Sequence, residues 1–166
     1  MSLEAVKEYF KTLGKEQDVM ETETSSATVE LAAQALGVEP ARIAKSLTFR
    51  DKDGGCILIV TAGDAKIHSG QFKRRFGCKS SMLTPEEVEA FTGHAIGGVC
   101  PFAITREDVA VYLDISLQRF TTVFPACGSS NSMIELTCEE LYRYANAKEW
   151  VDVSKGWQEP DESGNK

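Results

Sequence analysis

Residues 46 to 62, SLTFRDKDGGCILIVTA, limit the folds open to this chain more than any other stretch. Leu47 and Phe49 alternate with polar neighbours, the period of a strand. DKDGG at 51 to 55 comes next, and Asp-Gly and Gly-Gly tolerate the positive φ that tight hairpin turns require. CILIVTA at 56 to 62 then reads as the buried partner strand. An antiparallel hairpin is predicted here, and the rest of the chain must pack around it.

The flanking patterns supply short helices and further strands. Ser2 precedes LEAVKEYFKTL, in which Leu3, Val6, Phe10 and Leu13 share helical spacing and Gly14 is the stop. A short strand is expected around Asp18 to Thr22. SSATVELAAQALG predicts a helix capped by Ser26 or a neighbour, with Val29, Ala32, Ala33 and Leu36 on one face and Gly37 as its end. Pro40 opens a short helix, PARIAK, that runs directly into the SLTFR strand. A helix is expected from about Ser69 to Phe76. Thr84-Pro85-Glu86-Glu87 is a compact helix start with cap, N1 proline and capping-box glutamate.

Farther on, VAVYLD predicts a strand, SLQRF a short turn of helix and TTVFPA another strand. GSSNS turns into a strand MIELT, and Thr137 with Glu140 caps a last helix, CEELYRYANA. WVDV adds an edge strand, and the polar stretch from Gln158 onward reads as a flexible tail. Strands and short helices alternate without the rhythm of a doubly wound sheet. The expectation is α/β: a single domain over residues 1–157 with a mixed, partly barrel-like β-sheet surrounded by helices.

Composition narrows the function classes. With 166 residues the chain is long enough to bury a core unaided. The longest apolar runs, such as CILIV, are far too short to span a bilayer. The first ten residues hold two acids and no basic region before an apolar block, so no secretory signal is read there and a cytoplasmic location is expected. The five cysteines are widely and irregularly spaced, with no C-x-x-C, as fits free thiols. The two histidines, His68 and His94, are not at metal-ligand spacing, so neither a metal nor a cofactor is expected.

A net charge of −7 argues against non-specific coating of nucleic acid, DNA included. Residues 66 to 79, KIHSGQFKRRFGCK, nevertheless hold Lys66, Lys73, Arg74, Arg75 and Lys79 without an acid. Such a patch could dock a phosphate backbone at one place, or be a solvated helical face.

Three stretches could carry chemistry. GHAIGGVCPFA at 93 to 103 has paired glycines, Gly97 and Gly98, then Val99, Cys100 and Pro101. Glycine permits close approach to the backbone and proline stiffens the loop, although a plain tight turn has the same look. Lys45 shares an alternation with Leu47 and Phe49, so it either lines a pocket or snorkels out from an element end. The turn of Gly128, Ser129, Ser130, Asn131 and Ser132 could line a cleft or simply connect two strands. Cys100 with His94 six residues before it is a conceivable thiol pair, given a base that lowers the thiol pKa. No G-x-S-x-G, P-loop, G-x-G-x-x-G or H-E-x-x-H is present.

Taken in order, Lys45 in ARIAKSL, GHAIGGVCPFA and GSSNSMIEL resemble the YbaK/EbsC family of aminoacyl-tRNA deacylases, related to the editing domain of bacterial prolyl-tRNA synthetases. The resemblance covers roughly residues 20 to 145. It implies a standalone, metal-free hydrolase of the ester in mischarged tRNA, with tRNA(Pro)-type substrates and prolyl-tRNA synthetase as a partner. It implies that Lys45 is functionally important, that Gly97 to Pro101 surround the ester carbonyl and that Gly128 to Ser132 line the same pocket. Backbone amides at Gly97 and Gly98 would then stabilise the oxyanion, and Lys66, Lys73, Arg74 and Arg75 would meet the tRNA. Ser129, Ser130, Asn131 and Met133 depart from the more basic or polar pattern of some relatives, which leaves the edited amino acid open. A non-catalytic tRNA-binding module and a Cys100 thiol enzyme are the alternatives.

Overall fold

A computed structural model describes residues 2–23 and 28–158. Its elements, in chain order, are α1 (Ser2–Thr12), β1 (Met20–Glu21), α2 (Val29–Leu36), β2 (Ile43–Arg50), β3 (Cys56–Ala62), β4 (Lys66–Ile67) and α3 (Ser69–Phe76). Beyond these come α4 (Pro85–Thr92), β5 (Val109–Asp114), β6 (Thr122–Pro125), β7 (Ser132–Met133), β8 (Leu136–Thr137), α5 (Cys138–Tyr144), β9 (Trp150–Val151) and β10 (Ser154–Lys155).

The hairpin is the centre of the molecule. β2 and β3 pair antiparallel from Ala44–Ala62 to Arg50–Cys56 across the 51–55 turn. They sit inside a six-stranded sheet of order β8-β6-β2-β3-β5-β9. The β2–β6, β3–β5 and β5–β9 pairs are parallel and the β6–β8 pair is antiparallel, so the sheet is mixed and curls into a half-barrel. β3 is buried along its whole length because both of its faces are covered. On one face Leu58, Val60 and Ala62 join the main core with Phe10, Phe102 and Leu141. On the other, Ile57 and Ile59 meet Phe49, Phe72 and Phe76, which brings in α3.

Two helices, α1 and α4, hold the segments that flank the glycine loop. α1 buries Val6 and Phe10 completely, and Phe10 meets Phe102 edge-on at 4.9 Å between ring centroids. Each such side chain contributes roughly 1.5–3 kcal/mol of burial. α4 begins with the full capping box of Thr84 and Glu87 and ends at Gly93 in the left-handed region.

The structure corrects two local expectations and refines a third. PARIAK is not a helix: a single 3-10 turn at Pro40–Arg42 gives way at Ile43 to strand β2. Ile43 and Ala44 pair with Phe124 and Pro125 of β6, and that partner outweighs local helix preference. MIELT is not one strand, because β7 pairs with β1 whereas β8 pairs with β6. The hydroxyl that caps α2 belongs to Thr28, which accepts from the Leu31 amide, while Ser26 lies outside the described residues. Most of the expected tail, residues 159–166, also lies outside them. Gln158 is exposed, and Trp157 donates its indole N–H to Ser154 Oγ at 2.8 Å.

Candidate active site

A cavity of about 250 Å³ opens beside β2, between α2, the loop after α4 and the start of β7. Its walls are mostly apolar, with Val29, Leu47, Met82, Ile96 and Phe124 among them. The polar side chains that reach it are Thr28, Lys45, Ser46, Thr48 and Ser132.

Lys45 is the only charged residue there among those described. It is the third residue of β2, half-buried, and its Nζ donates to the Gly63 carbonyl at 3.3 Å. Burial pushes the ammonium below its ordinary value of 10.5; Asp64 opposes that shift and Lys66 adds to it. Gly63 owes its place to crowding. A Cβ there would lie 2.0 Å from the Pro40 carbonyl oxygen, so only glycine lets the segment before β2 cross the end of β3. This contact was not anticipated from sequence; its one signal is the small-residue run TAGD that closes β3.

The glycine loop is shaped by an internal turn. The Gly98 amide donates to the Ala95 carbonyl at 3.0 Å, with Gly97 at φ 98 in the position where such turns need a positive φ. Gly98 N–H is therefore already committed, and the Gly97 and Val99 amides make no hydrogen bond among the described residues. Gly97 and Val99 line the cavity, whereas Gly98 is buried behind them. A Cβ on Gly98 would lie 2.7 Å from backbone atoms of both Gly128 and Ser129, so the two predicted loops touch at this glycine.

Cys100 and Pro101 do not line the cavity. Cys100 is fully buried in the main core, and Pro101 borders a separate depression of about 240 Å³ near Tyr9 and Asn146. The Cys100 thiol lies 3.4 Å from His94 Nε2, so the two residues do meet. Burial pushes that thiol up to about 12 and holds His94 below its ordinary 6.5. His94 Nε2 is 2.8 Å from the Phe102 carbonyl, and its Nδ1 is bonded to Ser2 Oγ. The neutral ring thus donates to Phe102 and accepts from Ser2. It ties the start of α1 to the loop, and the thiol has neither access nor a charged partner.

From the 128–132 turn only Ser132 reaches the cavity. Ser129 Oγ lies 2.9 Å from Asn131 Oδ1 and 2.6 Å from Ser132 Oγ, while Ser130 is exposed. Asn131 Nδ2 donates to the Thr22 carbonyl at 2.9 Å, and the Thr22 amide returns a bond to Asn131 O at 2.8 Å. The turn is therefore tied to Thr22, just past β1. Gly128 is held against α1, since a Cβ there would lie 2.8 Å from the Ser2 carbonyl oxygen.

The basic stretch lies off the cavity. Lys66 is exposed on β4, and Lys73 and Arg74 are exposed in the last turn of α3. Arg75 is otherwise engaged: it pairs with Glu149 and stacks over Phe76 and Tyr112, 4.9 and 5.2 Å from the ring centroids. No group of three or more His, Cys, Asp or Glu side chains that could hold a metal occurs among the described residues, and none of their helices is long and apolar enough to cross a membrane.

Comparison with known proteins places this geometry. Residues 23–144 match the family described as the aminoacyl-tRNA editing domain. The chain is 56% identical over 158 residues to "Uncharacterized protein YwhH" of Bacillus subtilis, covering 95% of this chain and all (100%) of that one. It is 26% identical to "Putative Cys-tRNA(Pro)/Cys-tRNA(Cys) deacylase EbsC" of Enterococcus faecalis, over 73% of this chain and 74% of that protein. A crystal structure described as "a putative trans-editing enzyme for prolyl tRNA synthetase" superposes with a TM-score of 0.83 at 33% identity, covering 93% of this chain and 98% of that one. The curled mixed sheet is thus the fold of these editing proteins. On the length of the family match and the closeness of these relatives, the chain belongs to the aminoacyl-tRNA editing domain family.

Proposed function

We propose that this protein is a trans-editing deacylase that hydrolyses the aminoacyl ester of mischarged tRNA, with tRNA(Pro)-type acceptors as its substrates and prolyl-tRNA synthetase as the enzyme whose errors it removes. The observation that carries this reading is the convergence of Lys45, the Gly97 loop and Ser132 on one small cavity. EbsC is named for deacylation of Cys-tRNA(Pro) and Cys-tRNA(Cys), and the solved relative is described as a trans-editing enzyme for prolyl-tRNA synthetase; the proline system that the two share supports the substrate class.

Ester hydrolysis passes through a tetrahedral intermediate with charge on the former carbonyl oxygen. The uncommitted Gly97 and Val99 amides are the donors for it, and losing one such donor costs about 3 kcal/mol. Gly98, whose amide is occupied, serves by packing against the 128–129 turn. Lys45 keeps donors beyond its bond to Gly63 and offers them to a phosphate or to the ester. No lining side chain among the described residues is Asp, Glu or His. The attacking water is accordingly oriented by backbone groups and by the substrate's own ribose hydroxyl.

A deacylation screen over a panel of mischarged tRNAs, with and without EDTA, tests the reading. Turnover of at least one tRNA(Pro) species, unchanged by EDTA, is expected. Salt-dependent binding of tRNA without any turnover would replace the enzyme by a binding module.

A further inference from the structure

The hydrogen-bond phase of β2 exposes a gap in the sheet edge. The Arg50 amide donates away from β3 to Ser81 O at 2.8 Å, and the Thr48 carbonyl accepts from the Leu83 amide at 3.3 Å. On β3, the Cys56 amide donates to Asp108 O at 2.8 Å and the Ala62 amide to Ser116 Oγ at 3.1 Å, both away from β2. In an antiparallel pair such residues alternate with those that bond across it. The main chains of Ala44, Ser46, Thr48 and Arg50 therefore all turn to the outer edge. β6 takes up Ala44, opposite Pro125, and Leu83 takes up Thr48. Between them Ser46, which lines the cavity, has no strand beside it, and neither its amide nor its carbonyl is bonded among the described residues.

An aminoacyl ester carries an α-amino donor and a carbonyl acceptor on one residue. Two residues facing each other in a hydrogen-bonded antiparallel pair exchange those same two bonds. The cavity offers no carboxylate to receive an amino group, and the Gly63 carbonyl is taken by Lys45. We propose that the aminoacyl group docks as a one-residue strand on the open edge of β2, with the Ser46 carbonyl accepting from its α-amino group and the Ser46 amide donating to its acyl oxygen. This mode is strand addition reduced to a single residue. It turns the substrate side chain out of the sheet plane on the face that Ser46 shares with Ala44 and Thr48, toward apolar walls such as Val88 and Val99. It also adds Ser46 N–H to the Gly97 and Val99 amides as a donor for the same oxygen.

The inference rests on the deacylase reading, and its test separates the two. Non-hydrolysable tRNA minihelices ending in 3′-amide-linked alanyl or propionyl groups differ only in the α-amino group. The alanyl form is expected to bind roughly ten- to hundredfold more tightly, the value of a hydrogen bond to a charged donor. In 15N-labelled protein the Ser46 amide resonance should move when alanyl minihelix is added. Equal affinity for the two, or discrimination with an unmoved Ser46 amide, overturns the edge-docking proposal even if mischarged tRNA is hydrolysed. Failure to bind either, with no turnover in the screen, removes the deacylase reading and this inference together.

Discussion

At the scale of single residues, Lys45 sits where burial works against its charge. The unfolded chain keeps this lysine protonated up to its ordinary 10.5, whereas burial makes the folded protein release the proton at lower pH. Between those two values the unfolded state holds more protons, so stability rises with pH there and the charged form is a cost at neutral pH. Lys45→Met is expected to melt at or above the wild-type temperature while kcat/KM for mischarged tRNA falls roughly ten- to hundredfold. Calorimetry beside deacylation kinetics checks both; a lower melting temperature with normal turnover would make Lys45 structural. His94 has the same sign of shift with an acid-side consequence. Its folded pKa lies below 6.5, so the stability it contributes at neutral pH is lost as pH falls through 6.5 toward the folded value. A melting curve at pH 5 should show this loss, and His94→Gln should lessen it. Thiol labelling reads the burial directly. Of the five free cysteines only Cys78 and Cys138 are partly exposed, so native protein should react at those two and yield Cys56, Cys100 and Cys127 only in denaturant.

At the scale of elements, the site depends on two loops held at one glycine. Gly98→Ala would push a methyl group into the backbone of Gly128 and Ser129, which cannot swing aside as a long side chain does. Overpacking of this kind costs about 1–3 kcal/mol, or ~2–4 °C in melting temperature for each kcal/mol at this chain length. Because the displaced loop carries the Gly97 amide, deacylation should fall further than the stability loss explains. Gly54→Ala is the control: φ 93 strains an alanine there, but a Cβ meets nothing within 4 Å and the turn is not part of the cavity. Equal activity losses in the two variants would mean that the loops act only through global stability. The same elements show what local pattern can and cannot reveal. Gly97, Lys45 and Ser132 were legible because glycine, lysine and a polar turn stand out against apolar strands. Cys100 and Pro101 were misleading, since Gly97 and Val99 reach the cavity while the Cys100 side chain turns into the core and Pro101 borders another depression. The role of Gly63 and the open edge at Ser46 were invisible, because each is defined by a partner more than ten residues away.

At the scale of the whole molecule, the proposed deacylase function requires a chain of net charge −7 to receive a polyanion. The acid-free run from Lys66 to Lys79 was legible as the place of least repulsion, but its geometry was not. Arg75 is committed to Glu149, Phe76 and Tyr112, so Arg75→Ala should lower the melting temperature and is a poor probe of tRNA docking. Lys66 is near enough to Lys45 to influence its proton, so replacing it would mix docking with chemistry. Lys73 and Arg74 are exposed, engage in no ion pair among the described residues and lie outside the cavity wall. Replacing both by alanine is therefore the clean test of whether α3 meets the phosphate backbone. KM for mischarged tRNA should rise and kcat should hold, because groups that bind phosphates position a substrate without entering the chemical step. The slope of log affinity against log salt should shallow by roughly 0.7–0.9 for each phosphate the variant no longer neutralises. An unchanged KM and slope in this double variant would move the docking surface away from α3, whereas a fall in kcat alone would show that α3 supports the cavity through Phe72 and Phe76 rather than holding tRNA.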